Sequence, residues 1–122
     1  MPTPRPRLGS WGEELATQFL EDRGYRILTT NYRCVYGEVD IVAQEGEELV
    51  FVEVRTRRSE TFGSPEESLS RAKVRRLVAT CQHYLGRCAG EDTGWRVDLV
   101  CVYLGQGRRL QRIQHLRHAV QL

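Results

Sequence analysis

The stretch from Glu38 to Arg55 constrains the fold more than any other part of the chain. Apolar residues crowd both sides of Gly46-Glu47, a two-residue loop with glycine in first position, and the segment therefore reads as a β-hairpin. With Gly46 and Glu47 in the loop, Val39 opposes Val54, Ile41 opposes Val52 and Ala43 opposes Val50, an all-apolar face. Side chains alternate along a strand, so the other face sets Glu38 against Arg55, Asp40 against Glu53 and Val42 against Phe51. Carboxylates placed directly opposite one another repel. Two arrangements relieve that cost. Either the acids are solvated on an exposed face, or a cation sits between them; carboxylates completed by water and substrate phosphate are the usual surroundings of Mg²⁺.

Upstream of the hairpin, Ser10-Trp-Gly-Glu13 has the form of a capping box, and Leu15, Ala16, Phe19 and Leu20 recur at helical spacing before Gly24. This pattern predicts a helix over about residues 11–22. Tyr25 to Thr29 and Tyr32 to Tyr36 read as two short strands with a bend at Asn31. Downstream, Ser64-Pro65-Glu66-Glu67 supplies an N-cap, a proline at the first helical position and a second capping box. The long helix expected there has Leu69, Ala72, Val74, Leu77, Val78, Cys81 and Leu85 as its apolar stripe and Gly86 as its end. Trp95 to Leu104 is a further strand, closed by Gly105-Gln-Gly107, and Arg108 to Ile113 a last edge strand. That order predicts an α/β domain, a mixed central sheet covered by helices.

A chain of 122 residues has no room for a second core. The expected organisation is a flexible Pro/Arg-rich arm over residues 1–8 and a single domain over 9–122. No apolar run approaches the roughly 20 residues that span a bilayer, and Met1 to Arg7 lacks the apolar core of a secretory signal, so the expected location is the cytoplasm without membrane association. Cys34, Cys81, Cys88 and Cys101 contain no Cys-x-x-Cys pair and are expected as free thiols. His83, His115 and His118 are too scattered for a histidine metal motif. The net charge of +2 does not by itself announce a nucleic-acid binder. Its distribution says more: Arg71, Lys73, Arg75 and Arg76 cluster after the hairpin, and Lys73 is the sole lysine among 18 basic residues.

Three motifs carry a resemblance. They are Gly9-x-x-Gly12-Glu13-x-x-Ala16, Asn31-x-Arg33-x-x-x-Gly37-Glu38-x-Asp40, and Phe51-Val-Glu53-Val-Arg55-x-Arg57. With Phe62-Gly63-x-Pro65, Lys73 and Arg96-x-Asp98, they resemble the YraN-like family of small bacterial proteins over residues 9–104. That family is similar in turn to the restriction-endonuclease-like superfamily, which includes archaeal Holliday junction resolvases and whose signature is an Asp followed by Glu-x-Lys on the next strand.

The resemblance implies a restriction-endonuclease-like fold and a metal-dependent endonuclease that hydrolyses DNA phosphodiester bonds, with branched or processed DNA as the substrate class. Asp40 and Glu53 become Mg²⁺ (or Mn²⁺) ligands, the Val54 carbonyl a further ligand, and Glu13 the helix acid that joins such sites. Glu13 is equally explained as the acid of the Ser10 capping box. Glu38 is expected to pair with Arg55 across the hairpin. Arg55 departs from the signature, since it stands where lysine is expected; a guanidinium cannot act as a base, although as a cation it can still stabilise charge on phosphate. Lys73 either supplies the missing ammonium or is a surface lysine on a basic helix.

Arg57, Arg58, Arg71, Lys73, Arg75 and Arg76 are expected to hold the phosphate backbone without reading sequence. Gln82 and Tyr84 fall near the same helix end, and Asp98 matches a family position that pairing with neighbouring arginines also explains. Nucleic acid is the expected partner, and a homodimer suits the paired strands of branched DNA. The alternatives are a non-catalytic nucleic-acid-binding module whose site has degraded at Arg55, and a protein-interaction domain with no affinity for nucleic acid.

Overall fold

The computed structural model describes residues 8–58, 69–90 and 92–121. Helix α1 (Leu8–Asp22) leads into strands β1 (Arg26–Cys34), β2 (Gly37–Glu45) and β3 (Glu48–Arg58); helix α2 (Arg71–Cys88), β4 (Trp95–Leu104) and β5 (Leu110–Leu116) follow. The strands form one sheet in the order β1-β2-β3-β4-β5. All neighbours are antiparallel except β3 and β4, which run parallel on either side of the α2 crossover. The expected α/β class with a mixed sheet is what the chain adopts.

Both faces of the sheet are covered. Ala16 and Leu20 of α1 pack on Ile41, Ala43, Val50, Val52, Val54 and Val100. On the opposite face Leu77, Cys81 and Tyr84 of α2 pack on Val42, Phe51 and Val97. Burial on two sides is why β4 is an almost continuous apolar run, buried from Arg96 to Leu104. Cys81 lies in the second cluster, and Cys101 in a smaller one with Leu99 and Tyr103, both as small hydrophobes. Among the described residues, no helix is long and apolar enough to cross a membrane.

The expected hairpin register holds from Glu45↔Glu48 through Ala43↔Val50 and Val42↔Phe51 to Ile41↔Val52. There the β2–β3 ladder stops. Farther along, β2 stays with β1 through Tyr32↔Val39 and Cys34↔Gly37, while β3 stays with β4 as far as Arg58↔Leu104. Val39 consequently leaves the α1 face, where alternation put it opposite Val54, and packs with Val42 and Phe51 under α2.

Other boundaries also differ from the sequence reading. Residues 1–7 lie outside the described residues, and α1 begins at Leu8, the last residue of the expected arm, which places Ser10 inside the helix rather than at its cap. Gly24, with a φ of 88°, ends the helix as expected, its amide donating to the Glu21 carbonyl. The two strands expected around Asn31 are one strand. Asn31 adopts a φ of 54°, which asparagine tolerates, and pairing resumes on both sides of it. That strand ends at Cys34, and Val35-Tyr36 is the turn into β2.

The capping box at Ser64–Glu67 falls outside the described residues, yet Leu69 and Ser70 are not helical, so α2 is not the continuation of a helix begun at Ser64. Ser70 is its N-cap, with Oγ accepting from the Lys73 amide at 3.1 Å. Gly86 lies within α2, which continues to Cys88. A short 3₁₀ turn over Gln106–Arg108 moves the last strand to Leu110–Leu116.

At Gly12, α1 lies close against Thr56 of β3. A Cβ there would run into the Thr56 hydroxyl and lie 3.1 Å from Thr56 Cβ. We expect Gly12→Ala to destabilise the fold by about 1–3 kcal/mol in urea unfolding, the usual scale of overpacking. Adding Thr56→Ala should recover most of that loss.

Candidate active site

Where β2 and β3 part, a cleft of about 370 Å³ is lined by Glu13 of α1, Gly37, Glu38 and Asp40 of β2, Glu53 of β3, and Lys73, Arg76 and Leu77 of α2. The two helices cover opposite faces of the sheet, yet both reach this space. The opening between the strands is what lets an acid from one face meet cations from the other.

Asp40 holds the opening. Its Oδ2 accepts the Val54 amide at 2.7 Å, so a side chain takes a donor that a continuing ladder would have given to a main-chain carbonyl. Burial pushes the Asp40 carboxyl up to about 7, and the negative charges of Glu53, Glu13 and Glu38 add to that, against the opposing pull of the Val54 hydrogen bond. Glu13 is also raised, first by burial and then by the charge of Glu38. Because Ser10 is not an N-cap, the capping-box explanation of Glu13 does not hold, and its carboxylate faces the cleft.

Asn31, read from sequence only as a bend, belongs to the same group. With its nitrogen turned toward the acids, its amide donates to Glu13 Oε2 at 3.2 Å and to Glu38 Oε1 at 3.0 Å. The left-handed backbone at Asn31 occurs between the Thr30↔Ile41 and Tyr32↔Val39 pairs, opposite Asp40. An asparagine interrupting a β-branched and aromatic run was the available signal.

Glu53 is buried and carries two cations on one oxygen, with Lys73 Nζ at 3.0 Å and Arg55 Nη2 at 3.5 Å from Oε1. Arg55 therefore pairs along its own strand and not across to Glu38, whose partner is Arg33 Nε at 3.0 Å. The interrupted ladder separates Glu38 from Arg55. Lys73 is a cleft residue and not a bystander on a basic helix. Two buried guanidinium nitrogens, Arg55 Nε and Arg57 Nε, lack a hydrogen-bond partner among the described residues. Arg58, Arg71 and Arg75 are exposed outside the cleft, and Arg76 is exposed at its wall. Tyr84 is core, edge-on to Phe51 and Tyr32.

Asp98 lies elsewhere, buried at the start of β4, where Arg96 bridges it to both sides of the Gly46-Glu47 turn. Arg96 donates from Nε to Asp98 at 3.0 Å, from Nη1 to Glu45 at 3.1 Å and Glu48 at 2.6 Å, and from Nη2 to the Tyr25 hydroxyl at 2.8 Å. His115 Nε2 lies 2.8 Å from the second Asp98 oxygen, and the His118 amide donates to the first at 3.1 Å. Burial alone would raise the Asp98 carboxyl, but hydrogen bonds from His115, Arg96 and the His118 amide hold it below the usual carboxylate range. This is the pairing with a neighbouring arginine that the sequence offered as an explanation for Asp98.

The fold and cleft together define a class: an α/β protein with a five-stranded mixed sheet between two helices and an acid-lined opening at one end of its central hairpin. The chain belongs to uncharacterised protein family UPF0102, whose profile it matches over residues 12–102, and this is the YraN-like family that its motifs resemble. A UPF0102 protein of Moorella thermoacetica is 45% identical over 98% of this chain and 99% of its own. One from Roseiflexus castenholzii is 43% identical over 96% of this chain and 95% of its own. A third, from Mycolicibacterium vanbaalenii, is 37% identical over 93% of each.

The two ends of the hairpin make opposite contributions to stability with pH. Asp40 binds its proton more tightly folded than unfolded, so between its ordinary value of 3.8 and about 7 the folded state holds more protons and stability falls as pH rises. Asp98 and Glu45 are held low and lose their contribution as pH falls through the carboxylate range. In chelator, the melting temperature should therefore peak between about pH 4.5 and 6. Asp40→Asn should raise stability at pH 8 by about 2–4 kcal/mol and flatten the decline above the peak. By contrast, Arg96→Met takes the guanidinium from the buried Asp98 carboxylate and should destabilise the protein by about 3–5 kcal/mol in urea unfolding.

Proposed function

We propose that the cleft hydrolyses phosphodiester bonds in DNA with Mg²⁺ or Mn²⁺, on a fold of the restriction-endonuclease-like type. One observation carries the reading: Glu13, Asp40, Glu53 and Lys73, drawn from α1, β2, β3 and α2, meet in one opening between parted strands. Among the described residues no three His, Cys, Asp or Glu side chains close into a ready-made metal cage. The donor set nevertheless suits Mg²⁺, a hard ion that takes oxygen ligands and is commonly held by one or two carboxylates with water and substrate phosphate. Asp40 and Glu53 would hold it, with the Val54 carbonyl and Glu13 available to complete the shell. When bound, the ion supplies Lewis-acid polarisation of the scissile phosphate and a nucleophile at neutral pH.

The chain's own residues do the rest. The Lys73 ammonium, held by Glu53, provides the compact cation that the signature lysine would supply and that Arg55 replaces with a planar fork. Both cations can stabilise charge that develops on the phosphate. Arg55 and Arg57 follow Glu53 on β3 and add positive charge beside the cleft, which favours an anionic partner there. Arg76 at the wall, and Arg58, Arg71 and Arg75 beyond it, position the backbone of the nucleic acid.

A second reading has one observation in its favour. Glu53 already has two cationic partners, so its charge is compensated by protein groups alone, as a DNA-binding module with a degraded site would require. The test is incubation of the chain with labelled linear, single-stranded and four-way-junction DNA in Mg²⁺, Mn²⁺ or chelator. Cleavage should be lost in chelator, fall at least about 100-fold in Asp40→Ala and Glu53→Ala, fall about 100-fold in Lys73→Met, and survive in Arg55→Lys. Binding without cleavage by every version would select the module. No binding by any would reject both readings.

A further inference from the structure

Among the large hydrophobic side chains that are exposed, two are neighbours: Val35, 89% exposed, and Tyr36, 52% exposed, which form the turn between β1 and β2. Nothing about the turn asks for them. Two-residue hairpin loops favour glycine, asparagine and aspartate, and a β-branched residue beside an aromatic one contributes neither turn geometry nor core at such a place.

The turn is anchored and its aromatic ring is backed. Gly37, which follows Tyr36, has a φ of 149°, and a Cβ there would lie 3.3 Å from Thr80 Oγ1 and 3.9 Å from Arg76 Cβ, so the turn is pressed against the basic helix α2. One side of Tyr36 meets His83 edge-on, with ring centroids 6.2 Å apart. His83 is itself fixed by the Tyr32 hydroxyl, 2.5 Å from Nδ1, and Tyr32 packs edge-on against Tyr84. An aromatic series thus runs from the core to the surface and ends in a half-open tyrosine. The residues directly after it, Gly37 and Glu38, are walls of the cleft, and Arg76 lies at the same edge.

We propose that Tyr36, with Val35 beside it, is a stacking platform for an unpaired base of the nucleic acid whose backbone enters the cleft. This rests on the phosphodiester reading above and narrows its substrate class. Bases within a duplex are already stacked on each other and must be unstacked, at a cost of a few kcal/mol, before they can lie on a protein ring. A base in a flap, gap, junction arm or single strand carries no such cost, and aromatic stacking accepts any base through its π-face. Substrates should therefore carry an unpaired nucleotide next to the bond held by the cleft.

The experiment measures binding of the full chain in chelator to duplex, single-stranded and flap DNA, with 2-aminopurine at the first unpaired position. Tyr36→Phe, which keeps the ring, should bind like the parent and quench the probe. Tyr36→Ala should bind flap and single-stranded DNA about 10-fold more weakly, leave duplex affinity within about 2-fold, and lose the quenching. Unchanged flap affinity and quenching in Tyr36→Ala, or an equal loss on duplex and flap, would overturn the proposal. In either of those cases salt-dependent DNA binding that is weakened by Arg76→Glu would leave the phosphodiester reading standing. Failure of the parent chain to bind any of the DNAs would remove the proposal and that reading together.

Discussion

A single hydrogen bond, from the Val54 amide to the Asp40 carboxylate, decides what the central hairpin becomes. A main-chain partner there would have extended the β2–β3 ladder and closed the sheet over the place where the cleft lies. With a side chain taking that donor, β2 follows β1, β3 follows β4, and side chains from both faces enter the same space. The reversal of Val39, the left-handed Asn31 opposite Asp40 and the reach of Glu13 through the sheet all belong to this one departure from regular pairing. Irregularities of this kind in sheets are enriched beside active sites, because they re-aim side chains that regular alternation would bury or turn away.

The hairpin's two ends show how the fold sustains that departure. At the Gly46-Glu47 end, Arg96 meets Asp98, Glu45, Glu48 and Tyr25, with His115 on the far Asp98 oxygen, and each acid has a cationic or hydrogen-bonding partner. At the other end four carboxylates share a cleft, and burial with mutual repulsion drives the Asp40 proton affinity up to about 7. A protein that breaks a rule of local consistency at one place commonly compensates elsewhere, and such breaks concentrate at functional sites. The Arg96 network secures the turn end of β2 and β3, and at the other end the acids are paired less completely, with Asp40 held by the Val54 amide and, among the described residues, no cation.

Regular structure was legible in the chain to the extent that it followed local periodicity. The Gly46-Glu47 turn, the pairs from Ala43↔Val50 to Ile41↔Val52, the Gly24 stop and the β4 run all follow from alternation, turn chemistry and apolar content. Misreadings arose where a plausible local motif competed with packing. Ser10 satisfied the pattern of an N-cap, but α1 extends past it; the long helix expected from Ser64, which lies outside the described residues, starts behind Ser70. Glu38 and Arg55 faced each other only under strict alternation, which fails one residue beyond the last pair of the ladder. Lys73 and Asn31 had no periodic signature at all, since their importance lies in side chains many residues away in the chain.

The α/β class, the hairpin that carries Asp40 and Glu53, and membership of a family through motifs spread along most of the chain are all legible in the order of residues. Those properties depend on near-neighbour periodicity and on residue identity, and both can be read without coordinates. It takes the folded chain to show that the hairpin parts at Asp40, that Glu13 faces the cleft and is not a helix cap, that Lys73 joins Arg55 on Glu53, and that Asp98 belongs to a separate network. Each of these depends on which distant group reaches a buried donor or charge first. That competition is settled by packing across the whole sheet and not by any local stretch of sequence.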